Sequence, residues 1–395
     1  MKKKGIILIK SLNCGGAEKN SINLANFLIE NYEIELIVFQ QKNSYLRNEL
    51  DSRVIIRELE CSNKLKILLK LYFNTFWKDS NFIISFDPFA SCFINLFNLI
   101  KQRKIKIISR CINTLSEQEK IEKTKLIKKF LKELFYKKTY GLSEFIIAQS
   151  AGMKSDLVKK YKINPKKIIQ INNSIDLKKI ELLKKERILE EEKKYFSEKT
   201  IISVGRLVEQ KNIIFLLELL NELKNRGKKI NLIILGEGVK RQELERKIKE
   251  YHLEDIVFLL GLKKNPYTYI QKANFLWLSS FYEGFPNVLL DAIACGTVII
   301  SNDCKSGPRE IISQGEKRIL KTKYFEKYRY GYLYHYENFY NDRENFIREI
   351  EKILFENNEE NEEISKNYSN LVKVYSSKIQ LKKYIQLIEG ENNDS

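Results

Sequence analysis

The 395-residue chain has only two histidines and six cysteines, and these shortages limit the functions open to it. His252 and His335 stand apart without a metal-ligand spacing, so neither predicts a metal site. The cysteines include no CxxC pair, which favours reduced thiols of a cytoplasmic protein over disulfides or a zinc site. No run of 18 apolar residues predicts a membrane-spanning helix. The opening "MKKKGIILIK" is not typical of a signal peptide, because Lys10 ends its apolar run.

Acidic residues are scarce in the first part of the chain. Residues 1–180 hold 34 Lys and Arg against 17 Asp and Glu, a net charge of +17, and the remaining 36 and 34 give residues 181–395 a net charge of +2. This asymmetry indicates an anionic partner for the first half, with a lysine-rich composition as the alternative explanation. Nucleic acid is disfavoured as that partner, since no motif of that class occurs and the aromatic residues lie in apolar runs.

The hydrophobic pattern predicts an α/β protein. Short β-branched runs alternate with helical patterns throughout the chain, at 5–10, 33–39, 54–59, 82–86, 105–110, 144–150, 167–173, 200–205, 230–236, 256–261, 275–280 and 297–301. Continuous apolar runs are typical of parallel strands that are covered on both faces. We therefore predict two doubly wound, Rossmann-like domains.

The predicted domains are residues 1–180 and 181–375, with a C-terminal helix, possibly crossing back to the first domain, and a disordered tail in 376–395. The boundary is expected within the charged segment 176–200, which contains no strand pattern. Ligands bind at the carboxyl ends of the strands in such sheets, so we expect the two domains to face each other across a crevice lined by residues that follow strands.

Two carboxylates, Glu283 and Asp291, interrupt the apolar stretch "SSFYEGFPNVLLDAIACGTVIIS". The pattern predicts a helix over 287–295, with Pro286 at its first position and Gly296 at its end. Glu283 would then lie beside the helix N-terminus, where free N–H groups and the helix dipole form an anion site. The alternative is a solvated loop acid and a surface helix residue.

Three further motifs follow predicted strands. In "SVGRLVEQKN", Arg206 and Lys211 suit a diphosphate, although two exposed basic residues are equally typical of this lysine-rich chain. In "KSLNCGGAEKN", Gly15 and Gly16 would let backbone N–H groups approach a phosphate or sugar closely. The glycines of "LGEG" (235–238) are interpreted as a structural turn that opens a helix.

Taken together, "GGAE", "SVGRLVEQKN", "LGEG" and "FYEGFPNVLLDAIACG" resemble the family 4 retaining glycosyltransferases of GT-B fold, in order and spacing over nearly the whole chain. "NPYTYIQKA" (265–273) and "DCKSGPREII" (303–312) are most similar to bacterial N-acetylgalactosaminyl- and N-acetylglucosaminyltransferases that extend lipid-linked or capsular glycans. The resemblance implies transfer of a hexose or N-acetylhexosamine from a nucleotide sugar, with UDP-GalNAc and UDP-GlcNAc as the expected donors.

The resemblance also implies roles for matching positions. Arg206 and Lys211 would neutralise the diphosphate leaving group, and Glu283 would contact the donor sugar. Asp291 stands where the family usually has a glutamate that binds the ribose. Its side chain is one methylene shorter than that of glutamate. The residues implied in binding the nucleotide sugar are Gly15, Gly16, Gly205, Gly284, Phe285, Pro286, Asn287, Val288, Leu289 and Asp291.

The implied reaction uses neither cofactor nor metal. No DxD motif occurs, which disfavours a metal-dependent glycosyltransferase of GT-A fold. Attack from the leaving-group face, with a phosphate oxygen taking the acceptor proton, would retain configuration without a protein base. A sugar-nucleotide epimerase is disfavoured because the chain is short of histidines for acid–base chemistry. An inactive relative that acts as an assembly subunit stays open, because Asp291 departs from the family pattern.

The first domain is expected to hold the acceptor, and the resemblance implies a glycan on a polyprenyl diphosphate. Arg110, where some relatives have histidine, is a candidate contact for a substrate phosphate. Residues 116–141 predict a basic amphipathic helix, whose Lys125, Lys128, Lys129 and Lys132 would contact anionic lipid or the acceptor. A core helix with a solvated lysine face is the alternative. We expect a cytoplasmic protein held peripherally on the inner face of the cell membrane.

Overall fold

The structure is a computed structural model that describes residues 2–13, 15–40, 46–61, 63–73, 79–102, 104–121, 126–316 and 319–390. The chain divides into two compact units. Unit 1 comprises Met1–Asn173 and Ser377–Ser395, and unit 2 comprises Ser174–Ser376. The chain thus first passes from unit 1 to unit 2 after Asn173, seven residues before the predicted boundary at 180. This point also precedes the charged segment 176–200, within which the boundary was expected.

Unit 1 contains a seven-stranded sheet whose strands are all parallel. The strands are β1 (Lys4–Ile9), β2 (Glu33–Val38), β3 (Ile55–Glu58), β4 (Phe82–Ser85), β5 (Lys106–Arg110), β6 (Phe145–Ala148) and β7 (Ile168–Gln170). Their order, β3-β2-β1-β4-β5-β6-β7, is that of a doubly wound fold. All seven runs predicted in this half form strands, because β1, β2, β4, β5 and β6 are almost wholly buried and need apolar side chains on both faces.

Helices cover both faces of this sheet. They are α1 (Gly16–Leu28), α2 (Lys64–Phe73), α3 (Pro88–Ile100), α4 (Leu115–Ile121), α5 (Leu126–Thr139) and α6 (Ala151–Lys159), joined by the last helix of the chain, Ser377–Glu389. That last helix packs Leu381, Tyr384 and Leu387 into the core against the first strands and α1. Glu389, the last residue of this helix, accepts a hydrogen bond of 2.7 Å from the Tyr32 hydroxyl.

Unit 2 contains an eight-stranded sheet in the order β10-β9-β8-β11-β12-β15-β14-β13. The strands are β8 (Thr200–Val204), β9 (Asn231–Leu235), β10 (Val257–Gly261), β11 (Phe275–Leu278), β12 (Val298–Asn302), β13 (Leu320–Lys321), β14 (Phe325–Tyr328) and β15 (Gly331–Tyr334). The first five are parallel and match the five predicted runs. β13, β14 and β15 were not predicted. β15 pairs parallel with β12, and β14 and β13 follow it with antiparallel pairing at the edge of the sheet.

The helices of unit 2 are α7 (Leu177–Leu183), α8 (Ile213–Asn225), α9 (Arg241–Glu250), α10 (Tyr267–Lys272), α11 (Asn287–Cys295), α12 (Pro308–Ser313), α13 (Glu337–Asn341), α14 (Arg343–Glu351) and α15 (Asn358–Val374). The last helix of the chain, Ser377–Glu389, belongs to unit 1 and is called α16. α15 is polar in sequence but packs on the sheet. Its Tyr368 is buried and donates to the carbonyl of Tyr330 at 3.3 Å, and its buried Asn361 accepts from the Tyr332 hydroxyl at 3.0 Å.

Candidate active site

Lys211 and Glu283 form a buried ion pair at the carboxyl ends of β8 and β11. Lys211 Nζ lies 2.6 Å from Glu283 Oε1, and the two side chains are 17% and 8% exposed. The sequence placed both residues at a site but in separate motifs. Their burial excludes the alternative that Glu283 is a solvated loop acid.

Backbone contacts hold the two loops that carry this pair. Ser279 Oγ donates to the carbonyl of Lys211 at 2.7 Å, and Gln210 Nε2 donates to the carbonyl of Tyr282 at 2.8 Å. The N–H of Phe281 donates to the carbonyl of Gln210 at 2.9 Å. Ser279 and Gln210 are both buried. Sequence analysis did not identify these positioning residues. Polar residues next to the end of a predicted strand were the signal that could have indicated them.

Glycine at position 205 makes room for the Lys211 side chain. A Cβ atom at Gly205 would lie 3.1 Å from Lys211 Cε, and a Cβ at Gly236 would lie 1.8 Å from the carbonyl oxygen of Gly205. Likewise, a Cβ at Gly238 would lie 2.3 Å from the carbonyl oxygen of Leu207. The "LGEG" loop therefore supports the "SVGRLVEQKN" loop by close backbone packing, which confirms its structural interpretation.

Helix α11 begins at Asn287, and Pro286 is its N-cap residue rather than its first helical residue. The helix ends at Cys295, before Gly296 at φ 81°, as predicted. Phe285 packs into the core against Tyr375, with ring centroids 5.5 Å apart. Its side chain is therefore part of the core.

The predicted phosphate-binding segment 284–289 is only partly available to a ligand. The N–H of Leu289 already donates to the carbonyl of Pro286 at 3.1 Å. The carbonyl of Gly284 accepts from Ser306 Oγ at 3.1 Å. Val288 is half-buried, whereas the Leu289 side chain is fully buried in the core. Contact between the backbone N–H groups of this segment and a phosphate stays a prediction.

Arg206 and Asp291 are the more accessible members of the predicted set in unit 2. Arg206 is exposed in the loop after β8. Its guanidinium makes no hydrogen bond or ion pair with any residue that the structure describes. Asp291 is half-buried in the second turn of α11. Arg206 is thus a cation available for an incoming anion, whereas Lys211 is already neutralised by Glu283.

Cys304 lies buried beside this pair. Burial, followed by the negative charge of Glu283, raises the pKa of its thiol well above the usual range. Cys304 therefore stays a neutral thiol and is unsuited to act as a nucleophile. The described cysteines at 61, 92, 111, 295 and 304 are all free and buried.

A second charged cluster follows β12. Arg309 Nε donates to both carboxylate oxygens of Asp303, at 3.1 and 2.9 Å. Arg309 Nη1 lies 3.0 Å from Glu326 Oε2, and the exposed His335 lies 3.7 Å from Asp303. The two acidic partners hold the pKa of Arg309 above its usual value against the opposing effect of burial. Asp303 and Arg309 stand in the quoted motif "DCKSGPREII", but they were not singled out from the sequence.

The predicted glycines of unit 1 lie at the start of α1. A Cβ atom at Gly15 would lie 2.2 Å from Glu18 Oε2, and Ser11 Oγ donates to Glu18 Oε1 at 3.2 Å. A carboxylate therefore covers the backbone that was expected to approach a phosphate. Gly16 is exposed as the first residue of α1.

The predicted basic helix falls on α4 and α5. Lys125 lies outside the described residues, as do the side chains of Lys128 and Lys129. Lys132 is half-buried, with Nζ 5.8 Å from the centre of the Tyr136 ring. Arg110, at the end of β5, is buried rather than open to solvent.

Metal-ligand clusters and membrane-spanning helices are both absent from the described residues. No group of three or more His, Cys, Asp and Glu side chains in the described ranges is arranged to hold a metal ion. Within the same ranges, no helix is long and apolar enough to span a membrane.

The sequence is similar to that of known glycosyltransferases. Residues 184–371 match the family "Glycosyl transferases group 1". The chain is 34% identical over 334 residues to the N-acetylgalactosamine-N,N'-diacetylbacillosaminyl-diphospho-undecaprenol 4-alpha-N-acetylgalactosaminyltransferase of Campylobacter jejuni, covering 81% of this chain and 86% of the relative. It is 27% identical over 324 residues to the GalNAc-alpha-(1->4)-GalNAc-alpha-(1->3)-diNAcBac-PP-undecaprenol alpha-1,4-N-acetyl-D-galactosaminyltransferase of the same organism, covering 79% and 83%.

Solved structures share the fold at low sequence identity. Anabaena HepE in complex with UDP and glucose aligns with a TM-score of 0.74 at 14% identity, over 98% of this chain and 100% of HepE. Sucrose-phosphate synthase from Thermosynechococcus elongatus aligns with a TM-score of 0.78 at 15% identity, over 98% and 99%. The chain therefore belongs to the group 1 family of glycosyltransferases, has the GT-B fold, and is an enzyme that transfers a sugar from a nucleotide sugar.

Proposed function

We propose that this enzyme is a family 4 retaining glycosyltransferase that moves an N-acetylhexosamine from UDP-GalNAc or UDP-GlcNAc to a lipid-linked glycan. The observation that carries the proposal is the 34% identity, over 81% of the chain, to a Campylobacter jejuni transferase whose name specifies a diphospho-undecaprenol acceptor and N-acetylgalactosamine. Surface polysaccharide or glycoprotein glycan assembly would be the setting of such a reaction.

The donor diphosphate would bind between Arg206 and Lys211. Arg206 offers a guanidinium with no partner among the described residues, and its planar fork suits two phosphate oxygens. Lys211 would divide its ammonium between Glu283 and the phosphate. The N-terminus of α11 adds the positive end of its dipole. Asp291, in the second turn of the same helix, would accept hydrogen bonds from the ribose hydroxyls.

Glu283 would accept hydrogen bonds from hydroxyls of the donor sugar. Glu283 is buried, so such bonds would form with little competition from water. The ion pair to Lys211 also fixes the carboxylate before the donor arrives. Glu283 thus combines binding of the sugar with positioning of the cation that faces the leaving group.

Departure of the nucleotide leaves negative charge on the β-phosphate and positive charge on the sugar ring. Arg206 and Lys211 stabilise the first, an electrostatic effect worth about 3–4 kcal/mol for a single lost donor at comparable sites. The acceptor hydroxyl attacks from the same face, a phosphate oxygen takes its proton, and the configuration at the anomeric carbon is retained. The chain's own residues supply positive charge and orientation, and no protein base is needed.

The acceptor and the membrane would be contacted by unit 1. Leu65, Leu69 and Phe73 follow one another at four-residue spacing on α2 and are 63%, 49% and 73% exposed. The exposed Lys66 and Lys70 lie on the same helix. Apolar side chains beside lysines suit the interface of an anionic bilayer. Peripheral binding to the inner membrane face would hold the enzyme at its lipid-linked acceptor.

Donor choice can be measured by thermal unfolding with a panel of nucleotide sugars. A ligand that binds the native state raises the midpoint of unfolding, and at equal concentration a ligand that binds more tightly raises it further. UDP-GalNAc or UDP-GlcNAc should raise the midpoint more than UDP-glucose, GDP-mannose or free sugars. An increase with a guanosine or cytidine nucleotide sugar alone would overturn the proposed donor.

A further inference from the structure

Arg110 is a buried arginine in unit 1. It is the last residue of β5 and only 3% exposed. In a parallel sheet this position, at the carboxyl end of a strand, is where ligands bind. Phe86, which follows β4, and Asn173, which follows β7, lie beside it at the same edge of the sheet.

Every contact that the described residues make with the guanidinium of Arg110 is with a neutral group. Nη2 donates to Asn173 Oδ1 at 2.6 Å, and the guanidinium carbon lies 5.4 Å from the ring of Phe86 and 5.7 Å from the ring of Tyr384. The buried Nε has no acceptor in the described part of the chain, and the buried hydroxyl of Tyr384 has no partner there either. No carboxylate among the described residues forms an ion pair with Arg110.

With the exception of Asp156, which accepts a hydrogen bond from the N–H of Ser116, the other buried charged residues in the described part of the chain form ion pairs. Glu119 lies 2.8 Å from Lys160 Nζ, and Glu283 lies 2.6 Å from Lys211 Nζ. Glu35 forms ion pairs with Arg57 and Lys4. Burial without a counterion is unfavourable for Arg110 and lowers the pKa of its guanidinium to about 9. An unpaired buried charge costs several kcal/mol of stability, so an apolar residue would serve better here if the role were structural.

We propose that Arg110, with the Tyr384 hydroxyl, binds an oxyanion of a substrate phosphate or diphosphate. An anionic oxygen at Nε would supply the acceptor that this buried atom lacks and would neutralise the charge of the guanidinium. The Tyr384 hydroxyl would donate to the same anion. The choice of a diphosphate rests on the proposed function, in which both the nucleotide donor and the lipid-linked acceptor carry one.

Titration calorimetry on the full chain distinguishes the two sources of the anion. The probes are UDP and farnesyl diphosphate, a soluble prenyl diphosphate, and the variants are Arg110→Met and Arg110→Lys. Arg47→Met is the matched control, since Arg47 is an exposed arginine of unit 1, paired with Glu58 at 2.8 Å. Loss of one charge-assisted hydrogen bond should weaken binding by about tenfold or more.

Weaker binding of farnesyl diphosphate to Arg110→Met, with UDP unchanged, assigns the site to the acceptor, and the reverse result assigns it to the donor. Arg110→Lys keeps the charge without the fork and should bind with intermediate affinity. It also serves as the test if Arg110→Met does not fold. Equal affinities of parent and variants for both probes would overturn the inference. Absence of sugar transfer, with Arg110-dependent binding intact, would instead count against the proposed function.

Discussion

Lys211 Nζ and Glu283 Oε1 are 2.6 Å apart, although the residues lie 72 positions apart in the chain. The pair joins the loop after β8 to the loop after β11 and is buried. Each side chain stabilises the charge of the other at a position from which water is largely excluded. The ion pair therefore supports the local structure as well as the proposed chemistry.

Removing one partner of this pair should therefore destabilise the protein. Lys211→Met removes the ion-pair partner of the buried Glu283 carboxylate, and is expected to lower the free energy of unfolding by about 3–5 kcal/mol. In the double variant Lys211→Met/Glu283→Gln no charge stays buried, so its loss should be smaller than the sum of the single losses. Urea unfolding of the parent, the single variants Lys211→Met and Glu283→Gln, and the double variant gives the coupling energy between the two side chains. Additive losses would contradict a direct pair.

Arg206→Ala should affect activity without affecting stability. The guanidinium is exposed, so the free energy of unfolding should change by less than about 0.5 kcal/mol. Transition-state stabilisation should fall by about 3–4 kcal/mol, measured as a loss in kcat/KM. Arg187→Ala removes another exposed arginine of unit 2 and should leave both quantities unchanged. Near-parental kcat/KM for Arg206→Ala would remove Arg206 from the site.

Asp291→Asn should raise the KM for the donor and leave kcat nearly unchanged. The ribose is remote from the bond that breaks, so its contacts are alike in the ground state and the transition state. Asp291→Glu restores the residue usual in the family and should stay active. Steady-state kinetics with varied donor concentration separate the two constants. A fall in kcat at unchanged KM would contradict the ribose role.

Binding to anionic vesicles should depend on unit 1. Changing Lys125, Lys128, Lys129 and Lys132 to glutamine should weaken flotation with the vesicles by on the order of 1 kcal/mol per lysine at most, and less at high salt. Changing Leu65, Leu69 and Phe73 to serine should weaken flotation even at high salt. Leu182→Ser, at a 74% exposed leucine of unit 2, is the control. Unchanged flotation of both multiple variants would exclude these surfaces as the membrane contact.

The parallel strands and helix α11 could be predicted because local pattern determines them. Each buried strand is a short apolar run, and the φ of 81° at Gly296 favours glycine at the end of α11. Strands β14 and β15 were missed, because "FEKYRYGYLY" mixes charged and aromatic residues without clear alternation. Their side chains are buried by packing against α14 and α15, as between Phe325 and Phe346 and between Tyr332 and Asn361.

The composition of the site was easier to predict than its electrostatics. Lys211 and Glu283 were both identified, yet their pairing depends on the order of β8 and β11 in the sheet. Arg110 was predicted to contact a substrate phosphate, but its burial beneath Tyr384 depends on the return of α16 to unit 1. Sequence motifs give residue types at strand ends, whereas burial and pairing come from tertiary packing.

The central claim is tested most directly by one transfer assay. The enzyme is incubated in EDTA with UDP-GalNAc or UDP-GlcNAc and a short glycan on a prenyl diphosphate, and the product is analysed by mass spectrometry and NMR. We predict addition of one N-acetylhexosamine in the same anomeric configuration as in the donor. An inverted linkage, no transfer with either donor, or transfer that requires added Mn²⁺ would contradict it.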